Sequence, residues 1–151
     1  MEEKKMPEKM IVCLRKTGDQ GKSGTIKALA DLLMPDSTEV SKMPQANGDD
    51  ICVALKVNGK RVGLCSGSYN PYDIEEHLEF LLKKGSEIIF CTCWVRGKTV
   101  KAVEKAARKY GHTIIWTAPY TDNTPPRKEP TPLQEKLNRI KAEHLKDFLN
   151  F

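Results

Sequence analysis

An α/β fold with helices on both faces of a mainly parallel sheet is what this sequence predicts, on three observations. Short apolar runs alternate with amphipathic segments of helical length, in the order strand–helix–hairpin–helix–strand–helix–strand–helix. Asn58-Gly59 separates two of the runs, and this pair is the strongest short-range hairpin signal, because both residues accept positive φ. The runs Met10–Leu14 and Ile88–Cys93 are almost wholly apolar, as strands covered on both faces are. The expectation is a three-layer α/β domain. Its five-stranded, mainly parallel sheet carries one antiparallel edge strand, contributed by the hairpin.

Each element has its local reason. Residues 1–9 form a polar leader, and Met10–Leu14 is the first strand. A helix from Lys22 to about Met34 places Ile26, Leu29, Ala30 and Leu33 on one face, and Pro35 ends it. Residues 35–49 are polar and turn-rich, and are expected to be a loop. Ile51–Val57 and Arg61–Cys65 form the hairpin. Asn70 suits an N-cap, Pro71 the first helical position and Asp73 the positive helix end. That helix runs with Ile74, Leu78, Leu81 and Leu82 inward until Gly85. Glu87–Cys93 is the fourth strand, Lys98–Tyr110 the third helix and His112–Thr117 the fifth strand. Pro119, Pro125, Pro126, Pro130 and Pro132 crowd residues 118–132, which predicts a stiff linker over 122–131. A final amphipathic helix spans 132–151 and carries Leu133, Leu137, Ile140, Leu145, Phe148 and Leu149 as its apolar stripe. Those side chains need cover, from the 10–121 domain or from a second copy in a homodimer; the stiff linker favours the homodimer.

Composition narrows the function classes. The 151 residues are 39% hydrophobic and 30% charged, which excludes a disordered or fibrous chain. No apolar run approaches the roughly 20 residues of a membrane span. The charged start lacks the apolar stretch of a signal peptide, and five cysteines is an odd number. A cytoplasmic protein with buried thiols is expected rather than a disulfide framework. Cys91-x-Cys93 has strand spacing and no sequence neighbour to complete a metal site. The net charge of +5 resides in one segment: Arg96, Lys98, Lys101, Lys105, Arg108 and Lys109 against Glu104. Such a stripe is a solvated helix face or a nucleic-acid footprint, and no interleaved aromatics support the second.

The chemistry concentrates in the turn after the first strand, Lys16-Thr-Gly-Asp-Gln-Gly-Lys-Ser23. It approaches G-x-x-x-x-G-K-[ST] in the required strand–turn–helix context, with Lys16 replacing the first glycine. Backbone amides over Gly18, Asp19, Gln20, Gly21, Lys22, Ser23 and Gly24, at the positive end of a helix, suit an anion. Lys22 would meet the terminal phosphates and Ser23 would ligate Mg2+. Arg96, after the fourth strand, is a second cation for a phosphate, and Trp94 a stacking surface. Lys22 and Arg96 are thus the candidate catalytic residues. The metal acid such sites carry after a neighbouring apolar strand has no match: the Arg61–Ser66 strand runs into Ser66-Gly67-Ser68. Asp19 and Asp73 are the nearest acids.

From Met10 to about Thr121 the chain resembles P-loop NTPase-fold proteins with a degenerate Walker A motif. More narrowly, it looks like a group of small, uncharacterised bacterial proteins labelled as ATPases. Gly21-Lys22-Ser23, Asn58-Gly59 and Arg96-Gly97-Lys98-Thr99 carry the resemblance, with Ser68 standing where that group has Asp. The resemblance implies ATP or GTP as ligand, Mg2+ as its partner, and a slow phosphohydrolase or phosphotransferase activity. A small-molecule kinase would place its acceptor near residues 66–72 and Arg96. The competing readings are a non-catalytic interaction module on a P-loop fold and a nucleic-acid-binding accessory protein. The expected strand order sets the first strand between Arg61–Cys65 and Ile88–Cys93.

Overall fold

The computed structural model describes residues 8–15, 21–45, 50–67, 70–94, 97–122 and 130–149. The elements in chain order are β1 (Met10–Arg15), α1 (Lys22–Leu33), β2 (Ser37–Lys42), β3 (Cys52–Val57), β4 (Lys60–Cys65), α2 (Pro71–Lys83), β5 (Ile88–Cys93), α3 (Lys98–Tyr110), β6 (Thr113–Thr117) and α4 (Pro132–Lys146). Among the described residues no helix is long and apolar enough to cross a membrane.

One mixed sheet of six strands, ordered β2-β3-β4-β5-β1-β6, forms the middle layer. β4, β5, β1 and β6 are mutually parallel, and β3 runs against both its neighbours. Two expectations are corrected here. The sheet has a sixth strand, β2, inside the segment expected to be a loop. The reversed strand is therefore not at the edge, because β2 covers it. β2 reads Ser-Thr-Glu-Val-Ser-Lys and is mostly exposed. Backbone pairing to β3 holds it in place, so it needs no apolar alternation. The strand order is corrected too. β5, buried along its whole length, takes the position expected of β1, and β1 lies between β5 and β6. Both interior strands are nearly all apolar, so sequence could not rank them.

Alternation along β1 shows how the layers form. Met10, Val12 and Leu14 face α1 and α4, whereas Ile11 and Cys13 face α2 and α3. Phe90, Leu29 and Leu64 lie in the first core, and Leu78, Leu81 and Val103 in the second; all six are fully buried. Each large side chain buried this way contributes roughly 1.5–3 kcal/mol.

α4 packs on α1 of its own chain, which covers its inner face. That face differs from the expected stripe. Leu145 is buried, and Phe148 and Leu149 pack on the core, but Leu133 is 55% exposed. Gln134, Asn138 and Lys141 point inward beside Ala142. The reason is chemical: polar partners on α1 and on residues 117–122 receive them, as described below. Residues 123–129 of the expected linker lie outside the described residues.

Helix starts fall into two kinds. Asn70 caps α2, its side-chain oxygen accepting from the Asp73 amide at 2.9 Å, and Thr131 caps α4, accepting from the Gln134 amide at 3.0 Å. α1 and α3 start instead at Gly21 (φ 84°) and Gly97 (φ 100°), with no side-chain cap among the described residues.

Candidate functional site

β1 and β5 are neighbours, yet their chains leave toward opposite faces: β1 into α1, β5 into α3. Open α/β sheets bind ligands beyond the carboxyl ends of strands at such a divergence. The two helices with no side-chain cap among the described residues follow these two strands.

Lys22, the first residue of α1, is only 4% exposed. Its Nζ lies 3.4 Å from the Cys93 carbonyl oxygen at the end of β5 and 4.9 Å above the Trp94 ring. Burial of an ammonium is costly without such partners. The Trp94 backbone amide donates to Thr99 Oγ1 at 3.2 Å, which ties the chain after β5 to the first turn of α3. Ser23, the next residue of α1, is half-buried. Lys22 and Trp94, singled out in the sequence in two separate motifs, are therefore brought together. Gly18, Asp19, Gln20 and Arg96 lie outside the described residues.

Gly21 and Gly24 meet protein neighbours. A Cβ at Gly21 would lie 3.0 Å from Pro119 Cβ and 3.1 Å from Gln134 Nε2, besides straining a positive φ. A Cβ at Gly24 would collide with Asn138 Nδ2. Gly24 thus serves the approach of α4.

The acids sort differently from expectation. Asp73 is engaged in the α2 cap, where Asn70 Nδ2 donates to its Oδ2 at 2.7 Å. Asp50, which sequence reasoning passed over, is carried to the end of β4. A Cβ on Gly67 would collide with its carboxylate, and the adjacent Ile51 amide donates to Ser66 Oγ at 3.0 Å. This is the strand end where a metal acid was sought, supplied by the segment leading into β3. Asp50 also lines a cavity of about 570 Å3 with Lys27, Asp31, Lys42 and Ile51. Lys27 lies one helical turn beyond Ser23, on the same flank of α1. Arg15, at the end of β1, was likewise missed; its guanidinium stacks 4.6 Å over Trp116 of β6.

Mg2+ beside a triphosphate keeps several waters and needs few protein ligands. The Ser23 hydroxyl at the start of α1 fits that demand. Among the described residues no group of three or more His, Cys, Asp or Glu could hold a metal by itself.

All five thiols are buried, unpaired and on the α2/α3 side of the sheet. A hydrogen bond with Cys91, then burial, pushes the Cys65 thiol up, and burial pushes Cys52 up. Thiols held protonated this way are poor nucleophiles and poor metal ligands.

The basic face of α3 is partly matched by α2. Lys105 pairs with Glu75 at 3.9 Å and Lys109 with Glu79 at 3.5 Å. A hydrogen bond from Tyr110, before its lysine neighbours, holds the Glu79 carboxyl below its ordinary value.

No family model, no curated protein and no solved structure matches this chain.

Proposed function

We propose that this protein binds a purine nucleoside triphosphate, ATP or GTP, together with Mg2+ at the turn preceding α1. The observation that carries the reading is Lys22. An ammonium is buried where β1 and β5 diverge, at the head of a helix with no side-chain cap among the described residues. A phosphate chain at this position would meet the Lys22 charge, the α1 amides and the positive end of the helix dipole together. Ser23 would hold the metal, and the metal would neutralise phosphate oxygens when bound. Trp94 offers a flat face beside Lys22 for stacking.

Turnover is expected to be slow. Binding a ground state tightly does not accelerate a reaction, and acceleration needs groups that act on the transition state. Asp73, one of the acids expected near the metal, is occupied in the α2 cap. Arg96 and the segment 16–20 complete the proposed charge set from the sequence.

Isothermal titration with Mg-ATP and Mg-GTP tests the reading. Lys22→Ala removes a charged hydrogen-bond donor worth about 1.5–3 kcal/mol, so Kd should rise by at least about tenfold. Equal heats for wild type and variant, or no binding by wild type, would refute it.

A further inference from the structure

The seam between α1 and α4 is polar where two packed amphipathic helices would ordinarily bury aliphatic side chains. α4 turns Gln134, Asn138 and Lys141 inward, although Leu133 beside them is exposed. Burying an amide costs free energy unless each polar atom is matched, and these are matched directionally. Gln134 Nε2 donates to the Tyr120 carbonyl and to Asn138 Oδ1, both at 2.8 Å. Gln134 Oε1 accepts from the Asp122 amide at 3.3 Å. Thr25 directs its single hydroxyl proton, like its amide, to the Gly21 carbonyl, and its Oγ1 lies 3.5 Å from Asn138 Oδ1. Asn138 thus packs against the turn that closes on Gly21, the residue immediately before Lys22.

The steric side agrees. Gln134 and Asn138 lie one turn apart on α4, and they abut Gly21 and Gly24, which lie one turn apart at the start of α1. At Gly24 the Asn138 amide takes the space for a Cβ, and at Gly21 Pro119 and the Gln134 amide crowd it together. Aliphatic packing tolerates a sliding helix, whereas a matched amide pair fixes one register. At its far side Gln134 grips residues 120–122, and Lys141 Nζ donates to Thr117 Oγ1 at 2.7 Å. The strap leaving β6 and the tail helix thus form one hydrogen-bonded unit, and the head of α1 packs on it.

We infer that α4 is a positioning element for the nucleotide turn: the amides of Gln134 and Asn138 hold Gly21–Thr25, and through them Lys22, in the binding geometry. The inference rests on the nucleotide reading above for its consequence in affinity, but its structural half can be tested without any ligand.

The 151-residue chain is used throughout, in a Trp116→Phe background so that Trp94 is its remaining tryptophan. The Trp94 ring lies beneath the Lys22 ammonium, so its emission reports where Lys22 sits. Lys22→Ala supplies the spectrum of a ring without that cation. Asn138→Ala should move the Trp94 emission toward the Lys22→Ala spectrum and weaken Mg-ATP binding by roughly tenfold. Leu145→Ala, a core truncation on the same helix that spares both amides, should lower the melting temperature more than Asn138→Ala does. It should leave emission and affinity within about twofold of the parent. A Trp94 spectrum unmoved by Asn138→Ala would overturn the inference, whatever the nucleotide result. Affinity losses that follow the melting temperature across both variants would overturn it as well, by reducing α4 to a stabilising helix. If the parent binds no Mg-ATP but Asn138→Ala still moves the spectrum, the nucleotide reading fails and the positioning of Lys22 by α4 stands.

Discussion

α2 and α4 begin with an asparagine and a threonine that satisfy the next amides; α1 and α3 begin with glycines at positive φ and have no such cap among the described residues. A good N-cap typically adds about 1 kcal/mol over Ala. The two helices without one are those that leave neighbouring strands, β1 and β5, toward opposite faces. On the proposed function, the capped starts serve the fold, and the glycine starts leave amides that an anion beyond the ends of β1 and β5 would satisfy.

The comparison can be broken first at the glycines. Gly21→Ala meets both the positive-φ strain, roughly 1–2 kcal/mol, and a crowded site against Pro119 and Gln134. Gly111→Ala, also left-handed at φ 76° and with no described residue within 4 Å of its Cβ, meets the strain alone. Urea unfolding should therefore show a larger loss for Gly21→Ala, in total about 2–4 kcal/mol, than for Gly111→Ala. Equal losses would mean that the α4 contact exerts no constraint on Gly21.

A middle-sized effect belongs to the caps. Asn70→Ala and Thr131→Ala should each lower stability by about 1 kcal/mol, or about 2–4 °C in Tm, and leave Mg-ATP affinity unchanged. A cap variant that weakens nucleotide binding as much as Lys22→Ala does would erase the distinction between the two kinds of start.

The smallest effect is a pH slope assigned to α2. His77 is buried, and burial lowers its pKa from the ordinary 6.5, against the raising influence of Asp73, Glu76 and Asp50. On acidification the unfolded chain takes up this proton first. Stability is full above about pH 6.5 and falls as pH drops through the lowered folded value. Denaturant unfolding at about pH 7 and about pH 5 should show that loss, and His77→Gln should diminish it. A slope unchanged in the variant would assign the acid sensitivity to other groups.

Much of this architecture was legible in the residues. The apolar runs, the Asn58-Gly59 turn, the Asn70 cap and Gly111 placed most elements to within a residue or two. β2 was not legible, because an edge strand with Val40 as its single large apolar residue gains its order from pairing. The order of β1 and β5 was not legible either, since two strands buried on both faces carry the same pattern. α4 misled for a specific reason: a stripe rule assigns Leu133 to the inside, but Gln134 and Asn138 find partners there that no local pattern reveals. At the candidate site, Gly21-Lys22-Ser23 announced itself. Asp50 did not, because only the pairing of β3 with β4 carries it to Gly67.

Amide spectra of the full chain titrated with Mg-ATP test the division between the two kinds of helix start most directly. We predict that the largest chemical-shift changes fall on Gly21–Thr25 and Gly97–Thr99, with Trp94, while Asn70–Ile74 and Thr131–Glu135 stay near their free positions. Changes centred on the capped starts, or no saturable change at Gly21–Thr25, would contradict it.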